Sequence, residues 1–316
     1  MTILMARVPD ELAGMRLDQC LAEMFPDYSR SKLQTWIKAG RVLVDGEPMK
    51  GRDKLDGGEE IELDAEAEQV VEYDPEDIPL DIVYEDESLL IVNKPAGLVV
   101  HPAVGNWHGT LVNALLNHAP SLDKLPRAGI VHRIDKDTSG LLMVAKTLQA
   151  HNSLVEQLQE RSIHREYLAL VKGWMTAGGT VDEPIGRHPV DRKRNAVRRD
   201  GKEAITHYRL EQRFKRHTLI RVKLETGRTH QIRVHMAHIH YPLVGDQVYG
   251  GRFQMPADCS PALAEALRSF KRQALHAAKL GLDHPETGEY YEWEQPMPED
   301  MQHLIKLLAE NELDQA

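Results

Sequence analysis

From residue 80 onward, β-type segments follow one another along the chain with only a few helical patterns between them. Residues 82–84 and 89–92 are apolar, and the acidic stretch between them indicates a hairpin turn. This order argues against a doubly wound parallel sheet, which needs a helix after each strand. It predicts an α+β fold with a mixed, largely antiparallel sheet and flanking helices. The other predicted strands are 165–172, 204–212, 218–225, 273–282 and 289–294, and the predicted helices are 109–118, 148–161, 231–238 and 299–308.

The segment 14–64 predicts a small α/β domain that precedes this fold. Leu17, Leu21 and Phe25 recur at helical spacing, and short β-type segments with an Asp-Gly turn follow further on. The second helix is predicted at 32–39 with Ser29 or Ser31 as its cap, and the strands at 41–46 and 58–63.

The stretch 65–79 is acidic and lacks a long apolar period, which predicts an extended linker. It belongs to a larger block, because fifteen Asp and Glu and no Lys or Arg lie between Leu55 and Asn93. The whole chain carries a net charge of −10, so the remainder without this block is net +5. The chain is thus predicted to divide into domain 14–64, linker 65–79 and a large domain, 80–316.

Positive charge is concentrated in the large domain. From Arg127 to His240 there are 22 Lys and Arg against 12 Asp and Glu. Residues 187–202 hold seven of these basic side chains against two acidic ones. Such a stretch is either a solvated insertion or a surface that binds phosphate groups. The local excess of ten charges favours a phosphate-binding surface.

Several other classes of protein are disfavoured. The amino terminus lacks a signal-peptide pattern, and no apolar run approaches the roughly 20 residues of a membrane helix. We therefore expect a cytoplasmic protein without membrane association. Cys20 and Cys259 are far apart and predict neither a disulfide framework nor a zinc site. Four histidines lie between 230 and 240, but they lack familiar ligand spacing, so no metal is expected.

The strongest chemical feature is the segment 129–140, in which an apolar stretch leads to Asp135 and then to a polar turn. Asp137 follows two residues later, so a glycosidase with paired carboxylates is an alternative. Acids at i and i+2 on a strand end face opposite sides, which makes them poor partners across one bond. The Asp-Thr-Ser-Gly sequence after it is typical of turns. Asp135 is therefore the candidate catalytic group and Asp137 a turn former.

Two further segments could complete a site with this carboxylate. Residues 226–235 predict a strand end, a Gly-Arg turn and a helix that begins near Thr229. Arg228 would lie near the positive helix end and suits a carboxylate or a phosphate, although a surface arginine is the simpler interpretation. Tyr167 lies on the predicted strand 165–172, where it could pack amphipathically or stack on an RNA base.

Together these segments resemble the pseudouridine synthases of the large-subunit rRNA family. The first domain resembles the S4 RNA-binding domain, and the two resemblances cover nearly the whole chain. Ile134 stands where Leu is common and Ser139 where Thr also occurs, and both differences are conservative. The matching segments are 92–97, 132–140, 165–167, 226–233 and 272–276 in the large domain, and 29–32 and 40–46 in the S4-like domain.

The resemblance implies a role for each of these residues. Asp135 would be the essential carboxylate, Arg228 would hold it ionised and oriented by an ion pair, and Tyr167 would stack on the target uracil. Arg133, with His132 beside it, would enter the space that the flipped nucleotide leaves. The residues implied to bind the RNA backbone are Arg16, Arg30, Lys32, Arg41, Arg187, Arg192, Lys193 and Arg194.

The implied reaction breaks the N1–C1′ bond of uridine and joins C5 to C1′. Nothing is oxidised and no group is gained, so we expect neither cofactor nor metal. Asp135 could act as a nucleophile at C1′ or as a base at C2′, and the sequence leaves both open. The implied substrate is a hairpin of 23S rRNA, free or in a large ribosomal subunit precursor, with a monomeric enzyme that supports ribosome assembly.

A synthase acting on tRNA is an alternative, because substrate choice depends on surface shape. A non-catalytic RNA-binding assembly factor is a second alternative. Binding alone does not need the set of Asp135, Tyr167 and Arg228, so this set favours an enzyme.

Overall fold

The computed structural model describes residues 2–25, 28, 30–65, 74–102, 106–191, 194–256 and 259–313. The chain forms two compact units, Met1–Glu72 and Tyr73–Ala316. Each unit has its own hydrophobic core. Among the described residues, no helix is both long enough and apolar enough to cross a membrane.

The first unit packs two helices and an antiparallel sheet around one core. Leu17, Leu21 and Leu33 from the helices are fully buried in the same cluster as Ile61 and Leu63 from the sheet. The sheet order is β1-β4-β2-β3. The elements are β1 (Thr2–Arg7), α1 (Leu17–Met24), α2 (Arg30–Lys38), β2 (Val42–Val44), β3 (Glu47–Pro48) and β4 (Glu60–Ala65).

Strand β1 lies upstream of residue 14, where the sequence analysis begins this domain. It pairs with β4 from Thr2 opposite Ala65 to Arg7 opposite Glu60. The strand escaped prediction because most of its residues are apolar, although Ile3 and Met5 are exposed. Because Ile3 and Met5 are apolar on the exposed side, the strand lacks the period-2 pattern that identifies a half-buried strand.

The second unit is built on a large twisted sheet with helices against it. Its first elements are β5 (Ile82–Glu85), β6 (Leu89–Lys94), α3 (Leu111–His118), β7 (Ser139–Ala145), α4 (Leu148–Gln159) and β8 (His164–Lys172). They are followed by β9 (Gly179–Asp182), β10 (Ile185–Arg187), β11 (Asn195–Val197), β12 (Ile205–Phe214) and β13 (His217–Leu224). The last are α5 (Gln231–His238), α6 (Pro261–Ser269), β14 (Leu275–Asp283), β15 (Tyr290–Glu294) and α7 (Glu299–Leu313).

The strands of the large sheet follow the order β5-β6-β7-β14-β8-β13-β12-β9, with β15 beside β14. Neighbouring strands are antiparallel, except that β7 and β14 run parallel with Ser139 opposite His276. The prediction of an α+β fold with a mixed, largely antiparallel sheet is thereby confirmed.

Strand β7 is the centre of the core, and all seven of its residues are buried. Leu142 and Val144 join the cluster that contains α3, whereas Leu141 and Met143 join the cluster that contains Leu154 of α4. Alternate residues of a strand point to opposite faces, so apolar layers cover the sheet on both sides of β7. The segment that leads into this strand is therefore rigidly supported.

The sequence analysis missed α6, β9, β10 and β11. Strands β9, β10 and β11 have three or four residues each and mix glycine with charged or polar side chains, so no apolar period marks them. Strands β10 and β11 pair antiparallel over Ile185–Arg187 and Asn195–Val197, and we call this two-stranded unit the basic ribbon.

Candidate active site

A cleft of about 830 Å³ opens in the second unit. Its lining includes residues 130–135 ahead of β7, Arg165 and Tyr167 on β8, and most of residues 224–233 between β13 and α5. The sequence analysis chose these same three segments for their chemistry, and the fold brings them together in one place.

Asp135 lies at the end of an extended stretch that leads into β7. Its carbonyl oxygen accepts a hydrogen bond from Thr138 N at 3.1 Å, which closes a turn over residues 136–137. Ser139, expected in the polar turn, is the first residue of the strand. The Asp135 side chain is 22 % exposed, so it is fixed near the core and still open to a ligand.

The side chain of Lys94 binds the backbone of this turn. It is fully buried, and its Nζ donates to the carbonyl oxygens of Pro95, Leu98 and Lys136 at 2.8, 2.9 and 2.9 Å. Burial lowers the pKa of Lys94 to about 7, although nearby carboxylates oppose the shift. Three carbonyl acceptors match the three protons of an ammonium group. The backbone beside Asp135 is thus held to the end of β6.

Arg233 makes the ion pair that the sequence analysis assigned to Arg228. Its Nη1 donates to Asp135 Oδ2 at 2.9 Å, while Nε and Nη2 donate to Asp246 Oδ2 and Oδ1 at 2.6 and 3.0 Å. Burial acts to lower the pKa of Arg233, but the bonds to the two carboxylates outweigh it and raise this pKa. The guanidinium is therefore permanently charged, and the predicted pair of Arg228 with Asp135 is wrong.

Arg228 lines the same cleft but is turned towards the backbone. Its Nε donates to the Glu203 carbonyl oxygen at 2.8 Å. Helix α5 begins at Gln231, two residues later than the predicted Thr229, and the Gln231 Oε1 accepts from Arg228 N at 2.9 Å. Arg228 therefore belongs to the turn before the helix, whereas Arg233 lies in its first turn and reaches the carboxylate.

Asp246 completes this wall of the cleft. Its side chain is fully buried, and Oδ1 also accepts from the backbone N–H groups of Val248 and Tyr249 at 2.8 and 2.9 Å. Burial acts to raise the pKa of Asp246, but the bonds from Arg233 and from these amides lower it below its ordinary range. The sequence analysis missed Asp246. A basic residue in the predicted helix 231–238 is compatible with a carboxylate partner, but no pattern in the sequence indicates which carboxylate it contacts.

His230 is a second site residue that the sequence analysis did not select. Its Nε2 lies 3.9 Å from Asp135 Oδ1, and its Nδ1 lies 2.8 Å from Tyr249 Oη. Burial lowers the pKa of His230, and Arg233 adds to this effect while Asp135 opposes it. His230 has a left-handed backbone with φ of 60°, which costs an L-residue about 1–2 kcal/mol. Asn195 N also donates to Tyr249 Oη at 2.9 Å, which links the basic ribbon to the site.

Tyr167 and Arg165 form the wall of the cleft that β8 provides. Both lie on the same face of β8 and are more than nine-tenths buried. Burial raises the pKa of Tyr167, Arg165 lowers it and Asp135 raises it, so the phenol stays protonated. Arg165 Nη2 donates to the Glu225 carbonyl oxygen at a long 3.4 Å, and Arg165 Nε has no hydrogen-bond partner among the described residues.

Arg133 and His132 also line the cleft but differ in environment. Arg133 is exposed. His132 Nε2 accepts from Met143 N at 3.0 Å, and burial, followed by the charge of Arg165, lowers the pKa of His132 to about 3. His132 is thus a neutral ring that holds the segment to β7.

Two of the basic residues chosen in the first unit share one carboxylate. Arg16 Nε and Arg30 Nη2 donate to Asp18 at 2.9 and 3.2 Å, and Gln34 Nε2 donates to it at 2.9 Å. Burial acts to raise the pKa of Asp18, but the bonds from Gln34, Arg16 and Arg30 lower it. Arg16 and Arg30 remain about half exposed. Asp18 therefore holds two cations side by side at the surface.

The remaining basic residues have different environments. Arg41 Nη1 lies 3.8 Å from Asp64 Oδ2, Arg187 is an exposed residue at the end of β10, and the Arg194 guanidinium lies 5.3 Å from the centre of the Tyr249 ring. Arg192, Lys193 and the side chain of Lys32 lie outside the described residues.

The described part of the chain contains no group of three or more His, Cys, Asp or Glu side chains that could hold a metal ion. The polar groups of the cleft include the Asp135 carboxylate, the bridging guanidinium of Arg233, a neutral histidine, a phenol and several further arginines. Such a set can hold a planar polar ligand and present one carboxylate to it.

Comparison with known proteins assigns this arrangement to a family. The model of the RNA pseudouridylate synthase family matches residues 88–238, and the S4 domain model matches residues 15–61. The chain is 58% identical over 306 residues to ribosomal large subunit pseudouridine synthase D of Pseudomonas aeruginosa, covering 97% of this chain and 96% of that one. This chain belongs to the RNA pseudouridylate synthase family.

Further matches agree with this assignment. The Escherichia coli K12 ribosomal large subunit pseudouridine synthase D is 57% identical over 306 residues, which cover 96% of this chain and 94% of that one. The structure of human RNA Pseudouridylate Synthase Domain Containing 4 has the same fold, with a TM-score of 0.57 and 24% identity over 72% of this chain and 92% of that one. The predictions of a pseudouridine synthase, which is an isomerase, and of an S4 domain are confirmed.

Proposed function

We propose that the enzyme converts specific uridines of 23S rRNA to pseudouridine in a hairpin of that RNA, with Asp135 as the catalytic carboxylate, in support of ribosome assembly. The ion pair that Arg233 makes with Asp135 at 2.9 Å inside a cleft is the observation that carries this assignment. The names of the similar bacterial proteins support the large-subunit substrate.

Asp135 would act at the ribose of the target uridine. The N1–C1′ bond breaks with both electrons leaving on the base, and the carboxylate acts as nucleophile at C1′ or as base at C2′. The freed uracil turns and its C5 bonds to C1′. In the nucleophilic route the bond between Asp135 and C1′ breaks in this step, and in the base route the proton returns from Asp135 to C2′. The C5 proton then leaves and N1 gains a proton. Arg233, which Asp246 keeps in place, would orient the carboxylate throughout.

The target base must leave the RNA stack to reach the cleft, at a cost of roughly a few kcal/mol. Tyr167, buried on the cleft wall, would stack on the uracil, and the exposed Arg133 would occupy the vacated space in the RNA. Arg228 would assist at the cleft margin through its position in the turn. The cleft volume of about 830 Å³ is sufficient for a nucleotide.

Asp135→Asn should abolish pseudouridine formation while RNA binding persists, because the amide keeps the shape but cannot act as nucleophile or base. Asp137→Asn is the matched control and should keep nearly full activity. Pseudouridine is measured by chemical probing of rRNA after incubation with each purified variant. Product formation by Asp135→Asn at the wild-type rate would refute the assignment.

The choice of RNA is tested in cells that lack the gene. Pseudouridine mapping across 23S rRNA and tRNA should show losses in 23S rRNA that wild-type protein restores and Asp135→Asn does not. Losses in tRNA alone would replace the proposed substrate. Unchanged RNA with defective subunits would favour the non-catalytic assembly role.

The basic residues would bind RNA backbone and contribute affinity without base specificity. The set is Arg16, Arg30, Lys32, Arg41, Arg187, Arg192, Lys193 and Arg194. Arg187→Gln should reduce the slope of log affinity against log salt by about 1. Arg209→Gln is the control, since Arg209 Nε already bonds Glu211 Oε1 at 3.3 Å and its loss should leave the slope unchanged. Equal slopes for Arg187→Gln and wild type would remove Arg187 from the RNA surface.

A further inference from the structure

Arg165 is a buried cation in the cleft whose charge the protein does not neutralise. It is 7% exposed, yet no ion pair among the described residues includes it. Its hydrogen bond to Glu225 O is long at 3.4 Å, and its buried Nε lacks a partner among those residues. Burial lowers the pKa of Arg165, and Tyr167 opposes this shift. An unpaired buried charge costs several kcal/mol and is retained where a ligand supplies the partner.

The surrounding structure keeps this guanidinium free to meet a ligand. A Cβ at Gly227 would lie 2.8 Å from Arg165 Nη1, so only glycine leaves this space open. Glu225, which follows β13, directs its carboxylate to His207 at 2.6 Å and to Arg161 at 3.4 Å instead. The carboxylate of Glu225 is thus occupied elsewhere.

We propose that Arg165 is a catalytic residue that donates from its guanidinium to a carbonyl oxygen of the extruded uracil and stabilises the negative charge of the base after the N1–C1′ bond breaks. This inference rests on the proposed function. It adds a recognition group for the base itself, separate from the Asp135 and Arg233 pair that acts at the ribose.

The position of Arg165 favours the base over a phosphate. Arg165 and Tyr167 are two residues apart on the same face of β8, so a ring stacked on Tyr167 presents its edge towards Arg165. A phosphate would have to lose its hydration in a site that is nine-tenths buried. Exposed cations at the cleft, Arg127 and Arg133, suit phosphates better.

The chemistry explains why a permanent cation is useful here. When the N1–C1′ bond breaks, the bonding electron pair spreads over N1, O2 and O4 of the uracil. A charge-assisted bond to O2 or O4 strengthens as this charge develops, so it stabilises the transition state more than the bound substrate. The charge disappears once C5 bonds to C1′, C5 releases its proton and N1 takes one up.

The test uses a hairpin RNA that contains one uridine modified by the wild-type protein, measured under single-turnover conditions. Arg165→Met should slow pseudouridine formation about 100-fold while RNA affinity changes less than about threefold. Arg165→Lys should recover part of the rate, because it restores a donor and a charge without the guanidinium geometry.

The decisive experiment changes the target uridine in the RNA. The target uridine is replaced by 2-thiouridine or 4-thiouridine, whose sulfur is a weaker acceptor. One of the two replacements should slow the wild-type enzyme about tenfold and have little effect on Arg165→Met, since the affected bond is already absent. If Arg165→Met does not fold, the same comparison with Arg165→Lys decides the question.

Three results would overturn the inference. Thio effects that are equal in wild type and variant would show that Arg165 does not touch a carbonyl oxygen. A rate of Arg165→Met equal to wild type would show that the charge is not used. The third result is weaker RNA binding by Arg165→Met, with no such loss when the target nucleotide carries a methylphosphonate. That result would identify a phosphate as the partner of Arg165. Failure of the proposed function is distinguishable, because the wild-type protein would then modify no hairpin at all.

Discussion

The wall of the cleft formed by α5 and the wall formed by β8 each bury an arginine. The two walls satisfy the charge of that arginine in opposite ways. Arg233 is 6% exposed and bonds two carboxylates with three of its nitrogens. Arg165 is 7% exposed and, within the described part of the chain, has one long bond to a carbonyl oxygen. Equal burial of the same residue type therefore does not imply an equal role. The first wall is complete without RNA, whereas the second becomes complete only when a ligand brings an acceptor.

Replacing each arginine by methionine breaks this comparison most directly. Arg233→Met should destabilise the second unit by about 3–5 kcal/mol, because it leaves two carboxylates without their cation. Arg165→Met should leave the stability within about 1 kcal/mol of wild type or raise it, since the lost cation had no partner to strand. Urea unfolding in a Trp36→Phe background restricts the tryptophan signal to the second unit. Equal losses for the two variants would remove the proposed difference between the walls.

Asp246→Asn weakens the complete wall without changing its volume. We expect a loss of about 2–3 kcal/mol in unfolding free energy and a slower reaction, because the fork of Arg233 then faces a neutral group. Asp300→Asn is the matched control. It also loses a two-bond arginine pair, with Arg272 at 2.7 Å, but its side chain is 48% exposed, so its cost should stay below about 1 kcal/mol. A smaller loss for Asp246→Asn than for Asp300→Asn would contradict this account.

The pH dependence of the stability provides a further test through His132, which lies near Arg165. Its pKa is about 3 in the folded protein against 6.5 ordinarily, so the unfolded chain binds the proton first as the pH falls. Stability should therefore decrease between pH 6.5 and about 3, by about 1.4 kcal/mol per pH unit from this group. His132→Gln keeps an acceptor for Met143 N but cannot titrate, and it should flatten that limb. Parallel curves for wild type and variant would exclude His132 as a source of acid sensitivity.

Gly227→Ala should have the smallest effect and should act on Arg165 alone. The new methyl group meets the far end of a flexible side chain, so stability should change by less than about 1 kcal/mol while the reaction slows about tenfold. Gly186→Ala is the control, since its Cβ meets the Arg198 side chain at 3.3 Å in the ribbon, outside the cleft lining. A full rate for Gly227→Ala would show that Arg165 tolerates displacement.

The sequence predicted the segments that form the cleft better than the contacts between their side chains. Strand β8 was predicted at 165–172 and is observed at His164–Lys172, and the start of helix α5 was predicted within two residues, so the segments of Tyr167 and Arg233 could be recognised locally. The partner of Asp135 could not, because Arg228 and Arg233 lie five residues apart in one segment. Helix α5 is buried over six consecutive residues, so no amphipathic period indicates which side chain faces the cleft.

The contributions of Asp246 and Arg165 were beyond sequence reasoning for a different reason. Asp246 lies in a turn whose sequence resembles any Val-Gly-Asp loop, and its role arises from a contact across 13 residues. Arg165 is identified by bonds that it does not make among the described residues. Only coordinates reveal an unsatisfied donor, whereas a pattern reveals only the residue type.

The lysine beneath the Asp135 turn has a consequence for chemical labelling. An amine with a pKa near 7 is normally a preferred target for acylating reagents at neutral pH, yet Lys94 is fully enclosed and bonds three carbonyl oxygens. Surface lysines should be acetylated first, and Lys94 only when the turn detaches from the end of β6. The rate at which Lys94 is acetylated, measured by mass spectrometry of its peptide, therefore reports how often the catalytic turn opens in the protein without RNA.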